Sequence, residues 1–197
     1  MKPDRLNAFT DGVIAIIITI MVLEIRLPHE PTFRGFMTMA PFLAIYALAF
    51  ANIGLFWNNH HHMFQGVKRI DGRVLWANLF LLFWLSLVPF EIRWMGEAGI
   101  VALPVAAYGG VLMMAAVAYL LLERTLIAAE GEQSNVDAAT GSRLKEWVSF
   151  TSYAIAFAAA FLSPWLSIAI YVAVALLWII PDRRFERGLQ RSGAHPT

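Results

Sequence analysis

Cysteine is absent from this chain of 197 residues, which excludes disulfides and thiolate metal sites and leaves the redox compartment open. Charge is scarce. Only 15% of residues are Asp, Glu, Lys or Arg, where a soluble domain carries about a quarter. The net charge of +1 gives no reason to expect a nucleic-acid partner. No phosphate-binding loop, zinc-type spacing or internal repeat is visible, so no cofactor is expected and an inverted-repeat carrier lacks its usual pointer. What remains is apolar: 59% of the residues are hydrophobic, and the mean hydropathy is +0.61. Too few polar groups exist to cover that surface, so the bilayer is the solvent.

The first apolar run, after Asp11, has the length of a secretory h-region. Asp4 and Asp11 spoil the basic n-region, however, and Leu23-Glu24-Ile25-Arg26 offers no small-residue cleavage site, so the segment is expected to stay. Stretches of about 17 to 25 apolar residues give an all-α, multi-pass membrane protein with six spans, near 7–27, 36–58, 74–94, 100–123, 146–163 and 165–181. Ser163-Pro164 separates the last two, because proline lacks a backbone donor and favours a turn. Residues 129–142 read as a polar connector and 182–197 as a basic tail.

Lys2, Arg5, Lys68, Arg69, Arg73, Arg124, Arg143, Lys145, Arg183, Arg184, Arg187 and Arg191 fall on one side of this arrangement. Only Arg26, Arg34 and Arg93 fall on the other, so the positive-inside rule places both termini in the cytoplasm. Trp57, Trp76, Trp94, Trp147 and Trp165 stand near span ends, where interfacial anchors belong.

The first span carries the densest chemistry. Gly12, Ile16, Ile20, Leu23 and Leu27 recur at helical spacing and form one stripe, with Thr19 at its edge and Arg5 and Phe9 on its backward extension. Such a stripe ordinarily faces lipid or other helices. Asp11 lies about 100° away and should face neighbouring helices. Either it caps a helix that starts near Gly12, or it belongs to a polar network, since intramembrane acids tend to be functional. Arg5, His60 and Asn78 are its candidate partners. The run His60-His61-His62 is a poor metal site, because adjacent helical residues diverge by about 100°. A proton-coupled carrier built on Asp11 and His60, or a membrane enzyme using the histidines and Asp71, are the competing readings; the second lacks a nucleophile–base–orienter set.

Arg5-x-x-x-Phe9-Thr10-Asp11-Gly12, followed by Ala15-Ile16 and Thr19, resembles the R-x-x-x-F-S-D signature that opens the first helix of transmembrane protein 175 potassium channels. Trp57-x-x-His60, Trp76-x-Asn78 and Leu87-Val88-Pro89-Phe90 agree as well, and the likeness is dense over residues 5–90. Thr10 replaces the usual Ser and keeps its hydroxyl. The resemblance implies a potassium channel, not an enzyme: a homotetramer of identical six-helix subunits in the plasma membrane, with the first helices around a central pore. It makes Ile16 the narrowest hydrophobic ring, Thr19 a hydroxyl layer for transient potassium ions, and Ile20 and Leu23 the outward lining. Arg5, Phe9, Thr10, Asp11, Trp57, His60 and Asn78 would pack the pore helix. No T-V-G-Y-G filter is present, so weak potassium selectivity would come from dehydration at an apolar ring.

Overall fold

A computed structural model describes residues 3–25, 27–28, 30–65, 67–130 and 143–179. Among these, every regular element is helical: α1 (Pro3–Leu23), α2 (Phe33–Phe64), α3 (Gly72–Ser86), α4 (Val88–Ala98), α5 (Ala102–Glu130), α6 (Arg143–Ala159) and α7 (Pro164–Ile179). Helices are what lipid demands, since each closes its backbone hydrogen bonds internally. Pro3–Leu23, Phe33–Phe64, Gly72–Ala98 and Ala102–Glu130 are long and apolar enough to cross a membrane; Trp147–Ala159 and Pro164–Ile179 are apolar but shorter.

Local sequence sets the boundaries. Thr32 caps α2, its hydroxyl accepting from Gly35 N at 3.1 Å. Asp71 caps α3, accepting from Arg73 N at 2.9 Å and Val74 N at 3.0 Å, which satisfies two otherwise orphaned donors. That role differs from the catalytic one the enzyme reading would give it. Gly99, at φ +82°, ends α4, a conformation that costs other residues more. Between Ala159 and Pro164 the chain turns, with Ser163 N donating to Ala159 O at 2.8 Å, and Pro164 opens α7 where its missing donor does no harm.

α5 is the hub. It packs on α3, α4, α6 and α7, while α1 sits on a flank against α2, α3 and α4. Between lipid-immersed helices the hydrophobic effect supplies little drive, so close packing and interhelical hydrogen bonds must hold the bundle. Ala106, Gly109, Ala115 and Ala118 keep the buried side of α5 slim. Across it, the Tyr171 hydroxyl donates to Val105 O at 3.1 Å and Asn52 Nδ2 donates to the Tyr108 hydroxyl at 3.0 Å, while Ser167 Oγ joins α7 to α6 by donating to Ala156 O at 2.6 Å. At the end of α5, Glu130 accepts from the backbone of Lys68 at 2.6 Å, pinning the α2–α3 connection.

Several boundaries differ from the sequence reading. α1 begins at Pro3, so Asp11 lies two turns inside the helix and caps nothing; it ends at Leu23, which leaves Leu27 off the stripe. α2 runs on through the three histidines to Phe64. The expected third span is broken at Leu87, whose N–H bonds Trp84 O at 3.2 Å, because Pro89 cannot donate to the preceding turn. α5 extends to Glu130, so the connector expected from residue 129 starts later. Its stretch 131–142 and the tail 182–197 lie outside the described residues.

Candidate functional site

Two faces of α1 have opposite surroundings. Leu6, Thr10, Ile14, Ile17 and Met21 are buried against the rest of the chain. Offset by two residues, or about 200° around the helix, Phe9, Ile16, Ile20 and Leu23 are exposed, Ile16 to 58% and Leu23 to 80%. Gly12 lies on this same face, and a Cβ built there would meet nothing within 4 Å. Among the described residues, therefore, no neighbouring helix calls for its lack of a side chain.

Thr19 shares the exposed edge. Its hydroxyl donates back into its own helix, to Ala15 O at 3.0 Å and Ile16 O at 2.9 Å. With the proton turned inward, the oxygen's lone pairs are what remain to face outward.

The buried face is held by a chain of three side chains from three helices. Asn78 Nδ2 donates to Thr10 Oγ1 at 2.9 Å, and Asn78 Oδ1 stands 2.8 Å from His60 Nε2. With the amide oxygen turned to the ring, Nε2 carries the proton. All three residues are fully buried or nearly so, and His60 also stacks on Phe64 at a centroid distance of 4.5 Å. Since Asn78 comes from α3 and His60 from α2, this relay ties α1 to both.

Asp11 takes a different partner from those expected. The indole N–H of Trp57 donates to Asp11 Oδ1 at 2.8 Å, and the Trp57 ring stacks on His61 at 5.9 Å. A carboxylate acceptor makes this bond stronger than a neutral one. Neither His60 nor Asn78 bonds Asp11, and Arg5 is exposed with no ion pair among the described residues. The Asp11–His60 pair invoked by the carrier reading is thus not a hydrogen-bonded pair. Phe9 is half exposed. Among the described residues no group of three or more His, Asp or Glu could hold a metal ion.

Sequence reasoning did not single out Asn52 on α2, or Tyr108, Tyr153 and Tyr171 in the second half of the bundle. Tyr and Asn inside otherwise apolar spans were the available signal.

The profile of a family described as "Endosomal/lysosomal potassium channel TMEM175" matches residues 5–89. A potassium channel of Chryseobacterium sp. (strain P1-3) is 45% identical over 192 residues, covering 98% of this chain and all of the relative. The chain belongs to the TMEM175 family. A crystal structure titled as a lysosomal potassium-selective channel TMEM175 homolog from Chamaesiphon minutus superposes with a TM-score of 0.79 at 28% identity, covering 90% of this chain and 96% of that one. The endosomal/lysosomal proton channel TMEM175 of Bos taurus is 32% identical over 81 residues, 35% of this chain and 17% of the cattle protein. The family profile, residues 5–89, takes in α1 to α3, where the Thr10–Asn78–His60 relay and the Asp11–Trp57 bond lie.

Proposed function

We propose that this chain is the subunit of a weakly potassium-selective cation channel of the plasma membrane, four copies placing α1 around a common axis. In this reading each subunit crosses the membrane six times, α3 and α4 forming one bent crossing, and both termini are cytoplasmic. The observation that carries it is the two-faced α1. One face is locked to α2 and α3 by Thr10, Asn78, His60, Asp11 and Trp57, and the opposite face leaves Ile16, Ile20 and Leu23 uncovered. A cyclic oligomer brings such a face to its own symmetry mates. The names of the bacterial relatives supply the ion.

Ile16 is then the constriction. An ion passing four isoleucines must shed water, and potassium sheds it more readily than the smaller sodium. Thr19, one turn away, offers outward lone pairs to a partly dehydrated cation. Closure brings the isoleucines together and empties the ring of water; a small dilation rewets it.

The test is flux through vesicles containing the purified protein, comparing potassium, sodium and protons. Ile16→Asn should raise total flux and lower the preference for potassium over sodium, since the ring becomes easier to wet. Unchanged flux and selectivity in that variant would remove Ile16 as the constriction. Saturable uptake driven by a pH gradient, without single-channel currents, would instead establish the carrier.

A further inference from the structure

Away from α1, a cavity of about 50 Å³ lies between α2, α5, α6 and α7 and is partly open. Leu55, Phe56, Ala116 and Leu120 make most of its wall apolar, and among the described residues no charged side chain lines it. Its polar groups divide into two sets. Trp178 Nε1 donates to Ser149 Oγ at 2.7 Å, which itself donates to Lys145 O at 2.7 Å, and the Tyr119 hydroxyl donates to Asn59 O at 3.2 Å. Tyr153 and the side-chain amide of Asn59 are different. Tyr153 is 96% buried, its relative exposure being 4%, and its hydroxyl has no hydrogen-bond partner among the described residues; the Asn59 amide has none either.

We propose that this cavity binds a small uncharged amphiphile, an aliphatic alcohol, with the hydroxyl on Tyr153 and Asn59 and the alkyl chain along Leu55, Phe56 and Leu120. Charge argues against an ionic head: with no counter-charge among the described wall residues, burying one is too costly. Carbon-rich walls favour an occupant with more apolar than polar surface, as ordinary ligand pockets do. Size limits the guest. A dry cavity of roughly 150 Å³ admits benzene, so this one takes the hydroxyl end of a short chain whose remainder leaves through the open side. The phenol donates and accepts, and the amide does both, so the alcohol's oxygen has its full complement of partners. The site is independent of the channel reading, because it uses none of the α1 contacts.

The experiment labels the full-length protein in lipid nanodiscs with a photoreactive diazirine derivative of 1-octanol and maps adducts by mass spectrometry. Adducts should concentrate on Tyr153, Asn59 and Phe56. An excess of 1-hexanol should displace them, and hexane at equal membrane concentration should not. Tyr153→Phe should raise the concentration for half-labelling about 5-fold, the loss of one buried hydrogen bond, and Ala116→Leu should abolish labelling by filling the space. Adducts spread over lipid-facing helices, equal displacement by hexane, or an unaltered Tyr153→Phe profile would overturn the proposal. Competition on the parent protein decides the matter if Ala116→Leu does not fold.

Discussion

Asn78 uses both ends of its amide on other helices, whereas Trp57 makes a single bond at a half-open position. Their removal should therefore differ in kind. Asn78→Ala strands the Thr10 hydroxyl and the His60 N–H together in a buried site, and orphaned groups of this sort cost roughly 1–3 kcal/mol each. Trp57→Phe keeps the ring and leaves Asp11 at an exposed position, where solvent replaces the indole, so the expected cost is under about 1 kcal/mol. Thermal unfolding of the purified protein in one detergent should show a large drop in Tm for Asn78→Ala and a small one for Trp57→Phe. Equal drops would mean that the relay is not what holds α1.

At the scale of elements, the α5–α7 contact turns on one glycine. A Cβ on Gly109 would collide with the Tyr171 hydroxyl and crowd its ring, and that hydroxyl is the one bonded to Val105 O. Gly109→Ala should cost about 1–3 kcal/mol by overpacking. Tyr171→Phe alone should cost about 1 kcal/mol, yet in the Gly109→Ala background it should recover part of the loss, because the clashing atom goes with it. A double-mutant cycle in thermal unfolding reads this coupling directly, and strict additivity would refute the contact. The same contact shows where sequence legibility ends. Apolar runs marked the helices near their observed places, since crossing length is written in composition. Pro164 marked a helix start, since a missing donor is a local property. The start of α1 at Pro3 was hidden because Asp4, Arg5 and Asn7 look like a loop but are tolerated at a helix's aqueous end. The break at Leu87 had its signal in Pro89, but the run on both sides of it is long enough to read as one span. Partners were least legible: Asn78 and Thr10 are 68 residues apart and Trp57 and Asp11 are 46 apart, and only the packed bundle selects Trp57 over Arg5 for the carboxylate.

For the whole molecule, the question is what covers the exposed face of α1, and the chain's lack of cysteine makes it directly answerable. A single cysteine introduced anywhere has no background thiol to compete with it. Charged, water-borne thiol reagents are attacked by the thiolate, which forms only where water reaches. If four α1 helices surround an aqueous path, Ile20→Cys and Leu23→Cys should be modified from the bath and should reduce current in reconstituted channels. Ile17→Cys and Met21→Cys, on the buried side of the same helix, should stay unreacted. The informative control is Ile155→Cys on α6, which at 56% is about as exposed as Ile16 at 58% yet lies midway along a different helix. A lipid-facing thiol at that position should resist the reagent throughout. Should Ile20→Cys and Leu23→Cys behave like Ile155→Cys, the stripe on α1 faces acyl chains, and the ion path must be sought elsewhere in the bundle.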